Sequence, residues 1–262
     1  MTGLASGSPE DLATKTPGTL LIGTDNPAFS PWFGGGEKNK PWKFNDPNSG
    51  KGYESAVAYA LAKELGYASA NVKWTVVPFA RSFAPGKKPF DIFINQVSYN
   101  PARAKNVDFS VSYYNVNQAV VVVKGTDAAG AKSIAALKPF KFGVQIGTTS
   151  FDAVKTRIKP SQDVAVFDRN EDAVTALKNG QIDALVVDLP TAYFVTAVQV
   201  ETGKIVGQLP TQGAPERFGI VLGKGSSLTK PVNAALTRLR RNGTLKRLEQ
   251  KWLAGATAPF LK

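Results

Sequence analysis

Short apolar runs closed by polar or turn-forming residues alternate along this chain with longer stretches whose apolar residues fall three and four apart. The short runs predict strands at residues 19–24, 72–77, 91–94, 118–124, 141–146, 181–188, 204–208 and 217–222. The longer stretches predict helices. One covers 52–66, with Tyr53, Ala56, Val57, Ala60 and Leu61 on one stripe and Gly66 as its stop. A second, at 170–180, is capped and carries acids in its first turn. A third starts near Thr229 with Val232, Leu236 and Leu239 inward, and a fourth near Thr244 with Leu245, Leu248 and Trp252 inward.

Strand and helix alternate through two regions, which predicts two α/β lobes. Residues 19–114 and 216–262 form the first, and residues 115–215 form the second, inserted within it. The runs at 204–208 and 217–222 read as strands returning to the first lobe. Residues 33–51, rich in Gly, Lys, Asn and Pro, read as a mobile loop or hairpin, and 79–90 as a segment broken by Pro and Gly. Residues 1–18 are small and polar with no apolar signal core. They read as a flexible leader on a chain whose export signal has been removed.

Composition narrows the chemistry. The 262 residues include no Cys and no His, which excludes disulfides, thiolate nucleophiles, Cys-based metal sites and the usual neutral-pH base. An enzyme built on this chain needs Glu37, Glu54, Glu216 or a Lys as its acid or base. The net charge of +12 suits nucleic acid or an anionic surface. The basic residues are scattered, however, and the densest cluster, 238–247, has leucines at helical spacing and reads as a solvated helix face. No apolar run approaches the ~18 residues of a membrane span.

Candidate binding groups collect at the carboxyl ends of predicted strands, where open α/β sheets place ligands. After 91–94 come Ser98, with a hydroxyl, and Arg103, whose planar fork of donors suits a carboxylate. The plainer reading has Arg103 capping a helix or pairing with Asp108. After 19–24 comes a Pro-broken loop with Asp25, Phe29 and Trp32; the rings either cover a ligand's aliphatic part or belong to the core, and Asp25 either meets the ligand or bonds its own turn. Phe79 carries the same pair of readings. At 147–150 the N–H groups of Thr149 and Ser150 and the threonine hydroxyls, Thr148 included, lie at a predicted helix start, which is an anion site or only a cap. Asp188 ends a buried strand just before Pro190, as a ligand group or as a cap.

Residues 95–114 resemble, in register, the signature S-G-M-T-x-T-x-x-R-x-x-x-V-D-F-S-x-x-Y of polar amino-acid substrate-binding proteins, the extracytoplasmic receptors of ABC importers (solute-binding family 3). Residues 23–31 are similar to that family's G-T-D-x-x-[aromatic]-x-P-F, with one extra residue between Asp25 and Pro31. Residues 52–66 are similar to G-F-D-x-D-L-A-x-A-I-A-K-x-L-G, 144–150 to V-Q-x-G-T-T-S, 183–188 to D-A-x-x-x-D, and the C-terminal helices to A-x-x-x-L-x-x-x-G-T-x-x-x-I-x-x-K-W. The resemblance runs from about Leu20 to Leu253.

It implies the two-lobe, type II periplasmic-binding fold with a hinge and an inter-lobe cleft, and a protein that delivers an amino acid to an ABC permease. By the same resemblance Ser98, Arg103, Thr148 and Thr149 receive the carboxylate, Asp188 the α-ammonium, Phe29, Trp32 and Phe79 the remainder, and Asp25 a polar or cationic side chain, with Gln96 also among the ligand-binding residues. No cofactor, metal, catalysis or nucleic acid is expected, and the protein is expected to be an extracytoplasmic monomer, periplasmic or lipid-anchored. Gln96 for the usual Gly, Asn100 for Thr and Ala102 for a charge depart from the pattern and bear on the ligand class more than on the fold. Three alternatives stay open: an enzyme on this fold, similar to cyclohexadienyl dehydratase; an amino-acid-sensing receptor domain; and nucleic-acid binding, whose affinity would collapse with salt.

Overall fold

The computed structural model describes residues 9–36, 39–211, 213–253 and 258–262. In chain order these form Leu20–Thr24 (β1), Tyr53–Glu64 (α1), Val72–Val76 (β2), Phe79–Ser82 (α2), Ile92–Phe93 (β3), Pro101–Ala104 (α3), Val107–Phe109 (β4) and Tyr114–Val116 (β5). There follow Gln118–Val123 (β6), Ile134–Leu137 (α4), Phe142–Gln145 (β7), Thr149–Ala153 (α5), Ala165–Phe167 (β8), Asn170–Lys178 (α6), Ala184–Asp188 (β9), Leu189–Phe194 (α7) and Gly203–Gln208 (β10). Last come Glu216–Phe218 (β11), Val221–Gly223 (β12), Thr229–Arg241 (α8) and Thr244–Leu253 (α9).

The described residues fall into two compact units. One runs to Asn115 and resumes from Arg217 through α9; the other is Val116–Glu216 together with residues 258–262. The chain crosses between them within β5 and β11, which pair with each other.

The first unit's sheet has the order β2-β1-β3-β12-β4, with β1 parallel to β2 and β3, and β12 antiparallel to β3 and β4. Leu20 and Ile22 of β1 are fully buried. Gly23, the next residue of the strand, is required, because a Cβ there would come within 2.9 Å of the Phe93 ring. α1 buries Tyr53, Glu54, Ser55, Val57, Ala58, Leu61 and Ala62, a wider face than the expected stripe, and Ala56 and Ala60 stay partly exposed. It is packed by α8 and α9.

The second unit's sheet has the order β10-β6-β9-β7-β8. Its interior strand β6 explains the β-branched run. Alternate residues of a strand face opposite sides, so Val120 and Val122 join Phe142, Val144, Ile158 and Leu261 on one face, while Ala119 and Val121 join Leu177, Ile182 and Leu185 on the other.

Several expectations are corrected. From Pro9 the chain is no leader: the Lys15 N–H donates to Asp91 at 2.7 Å and the Tyr67 hydroxyl to the Pro9 carbonyl at 3.3 Å. Residues 1–8 lie outside the described residues. The loop 33–51 packs, with Trp42, Asn45 and Asp46 buried and Asn45 donating to the Ala28 carbonyl at 2.8 Å. β10 stays in the second unit, antiparallel to β6, so the return to the first comes only with β11, and the run 217–222 divides between β11 and β12. Residues 258–262, expected with the first lobe, belong with the second, since Leu261 is 4% exposed in its core and Phe260 bridges Gln208. In α6 the cap position is Arg169, with no side-chain cap bond. Leu248 and Trp252 of α9 are half-buried. Among the described residues no helix is long and apolar enough to cross a membrane.

Candidate functional site

In the first unit, parallel β1 and β3 bring two loops out at the same sheet edge. Asn95 ties them: its Oδ1 accepts from Thr24 Oγ1 at 2.8 Å and from the Asp25 N–H at 3.2 Å. Asp25 is partly exposed, and its Oδ1 accepts from the Asn26 N–H at 2.8 Å, the turn bond foreseen as one of its two roles. Trp32 falls on the core side of its two readings. It is fully buried, with its ring edge-on to Tyr53, Tyr114 and Phe218 at 6.0, 5.5 and 5.6 Å. Phe29 is half-buried and pairs with Phe44 at 5.5 Å.

The loop after β3 carries the proposed receiver. Asn100 caps α3 by accepting from the Ala102 N–H at 2.7 Å, and Pro101 opens that helix, so Asn keeps the capping that the family's Thr would supply. Arg103 follows, 8% exposed. Its Nη1 donates to the Ser98 carbonyl at 2.7 Å, and its guanidinium carbon lies 4.3 Å from the centre of the Phe83 ring and 5.6 Å from that of Phe79. Asp108, the alternative partner, is engaged by Lys224 Nζ at 3.5 Å, the Gly225 N–H and the Thr229 hydroxyl. Ser98 itself is buried and bridges Phe218.

Gln96 has a left-handed backbone, φ 48°, which accounts for the usual Gly at this position. Its N–H donates to Glu54 Oε1 at 2.6 Å and its side-chain Nε2 to Glu54 Oε2. The residue expected at the ligand thus has a task toward the interior. Glu54, fully buried, also accepts from the Tyr113 hydroxyl; burial pushes its carboxyl up to about 7, against the pull of these hydrogen bonds.

In the second unit, β6 and β9 pair antiparallel with Gln118 opposite Asp188. Gln118 is fully buried. Its Nε2 donates to Asp188 Oδ1 at 2.8 Å and to Glu216 Oε2 at 3.1 Å, while its Oε1 accepts from Ser150 Oγ at 2.6 Å. Two carboxylates from distant parts of the chain therefore share one amide nitrogen. Asp188 occupies the cap position of α7 but makes no side-chain cap bond. Thr149 donates its hydroxyl to Glu216 Oε1. Thr148 serves as a cap: its hydroxyl donates to the Gln145 carbonyl at 2.7 Å and accepts from the Phe151 N–H at 3.3 Å.

Gln118 and Phe83 escaped sequence reasoning, Ser150 entered it only through its backbone N–H, and Glu54 and Glu216 only as candidate acids. The available signal was weak: Gln118 is the one amide opening an otherwise apolar run. Of the other candidate acids, Glu37 lies outside the described residues.

The comparisons agree with this architecture. The L-cystine-binding protein TcyJ of Escherichia coli (strain K12) is 30% identical over 239 residues, covering 91% of this chain and 84% of the relative. The structure of an ancestral arginine-binding protein bound to glutamine superposes with a TM-score of 0.73 at 33% identity, covering 91% of this chain and 99% of that one. An ancestral amino acid-binding protein, a precursor of cyclohexadienyl dehydratase, gives 0.70 at 30% identity, covering 90% and 95%. The fold is the type II periplasmic-binding fold. A profile of bacterial extracellular solute-binding proteins, family 3, matches residues 33–255, and the chain belongs to that family.

Proposed function

We propose that this protein captures a free α-amino acid outside the cytoplasm and delivers it to an ABC permease, with Arg103 receiving the carboxylate and Asp188 the α-ammonium. The observation that carries this reading is the setting of Arg103. Its guanidinium is nearly buried, fixed at one corner by the Ser98 carbonyl and on one face by Phe83, so the planar fork is oriented before any ligand arrives. On the other unit, Gln118 orients Asp188 beside Glu216, giving an acidic pair suited to an ammonium or a cationic group. A zwitterion held by these groups has both charges matched, which avoids the penalty of burying an unpaired ion.

Relatives that bind cystine and arginine support a polar ligand. Asp25, at the end of β1, is the proposed contact for its side chain, with Thr149 on the carboxylate and Phe79 and Phe29 on the hydrocarbon part.

Catalysis is the weaker reading. Its best acid is Glu54, but that carboxyl is fully buried with both oxygens engaged, which favours a binder.

A thermal-shift panel of the common amino acids tests the proposal, because a ligand that binds the native state raises apparent stability by mass action. A clear rise with a polar or cationic amino acid is expected; no rise with any amino acid overturns it.

A further inference from the structure

We propose that Glu54 is the positioning residue of the first unit's ligand-receiving segment, a single carboxylate that clamps both ends of the stretch from Gln96 to Tyr113 and so sets Ser98 and Arg103 in place. This rests on the amino-acid reading above for what the segment receives, but the clamp is visible without it.

At the near end, both donors of Gln96, the backbone N–H and the side-chain amide, reach the two oxygens of Glu54. A residue with a side chain disfavours a left-handed backbone, so Gln96 at φ 48° gains from a partner that holds it there. Glu54 is that partner. At the far end, the Tyr113 hydroxyl donates to Glu54 Oε1, while the Tyr113 carbonyl accepts from Tyr53, the neighbour of Glu54 on α1, at 2.8 Å. Between the two ends lie fully buried Val97, then Ser98, whose carbonyl fixes Arg103. A shift at Gln96 is therefore passed within two residues to the group that orients the guanidinium.

Only the ionised carboxylate accepts from all three donors. A neutral carboxyl, or the amide of Glu54→Gln, turns one oxygen position into a donor facing an N–H or O–H. The titratable groups around Glu54 are Tyr113 and Tyr53; Tyr114, Glu249 of α9 and Arg240 of α8 act in turn on Tyr53, which burial pushes above the ordinary tyrosine range. The group that changes charge near neutrality is Glu54 itself.

The test uses the intact chain as wild type, Glu54→Gln and Tyr113→Phe, with two readouts: amide hydrogen exchange of the free protein, and calorimetric affinity for L-arginine, L-glutamine and L-cystine. In Glu54→Gln, exchange across residues 96–103 should be at least about ten-fold faster with β6 and β9 unchanged. The affinity of any probe that binds wild type should fall by at least about ten-fold near pH 8, and the wild-type affinity should decline on acidification below about pH 7 while the variant's stays flat. Faster exchange with no probe bound by wild type would sink the amino-acid reading and leave the clamp standing. Unchanged exchange at 96–103, or faster exchange with affinity and its pH profile unaltered, would overturn the proposal. Should Glu54→Gln fail to fold, Tyr113→Phe decides: it keeps the charge and removes one donor, so a smaller acceleration over the same residues is expected, and none overturns the idea.

Discussion

Arg103 lies with its guanidinium carbon 4.3 Å from the centre of the Phe83 ring while its Nη1 donates to the Ser98 carbonyl at 2.7 Å. One face and one corner of the fork are thus used in orienting it. Arg103→Ala should weaken amino-acid binding by about 2–5 kcal/mol, the usual range for losing one partner of a buried charge pair. Lys should recover little of this, since it lacks the fork, and Phe83→Leu should weaken binding less than Arg103→Ala. Calorimetry with Arg103→Ala within a few-fold of wild type would assign the side chain to structure alone.

Asp188 is the proposed partner of the ligand's α-ammonium. Asp188→Asn is expected to weaken an amino acid far more than its deaminated analogue, because only the former presents an ammonium. Equal losses, measured by competition, would make Asp188 a support for α7.

Asp25 makes its own turn bond and still stands at the carboxyl end of β1. If it also meets the ligand, Asp25→Asn should flatten the preference for Arg or Lys over neutral amino acids, since an acid beside a hydrocarbon side chain would lack a partner. A ranking untouched by the substitution restricts Asp25 to the turn.

Glu54 gives a stability signature of opposite sign to its effect on binding. Its folded pKa, about 7, lies above the ordinary carboxyl value of 4.5, so between these values the native state holds the extra proton and stability falls as pH rises. The burden is absent below the lower value and complete above the upper one. Wild type should therefore gain thermal stability relative to Glu54→Gln, by several degrees, as pH is lowered through this window. Thermal melts of the two proteins running parallel from acid to alkaline pH would contradict this.

The residues that were legible in sequence are those whose pattern is local. The β-branched run of residues 118–123 declares a strand, and the threonines at 148 and 149 declare a helix start. The network around Gln118 was not legible, because its partners stand 32, 70 and 98 residues away and meet only once β6 and β9 are in register. The clamp on Glu54 spans 42 and 59 residues and was hidden for the same reason. Trp32 illustrates a different limit: an aromatic after a strand has the same sequence whether it faces a ligand or three other rings.

Leu261 fills the second unit's core and residues 258–262 join it after α9, while the first unit waits for β12, α8 and α9 to finish its own sheet and helical cover. Each unit is thus closed by residues that follow the second crossing. During synthesis, β6 to β10 can pair as soon as Gln208 has emerged, but the sheet lacks the apolar lid that Leu261 provides, and the first unit still lacks its middle antiparallel strand. A chain with this layout leaves both units incompletely packed until the segments that follow both crossings have joined them, whereas a chain of two consecutive domains could complete its first before its second began.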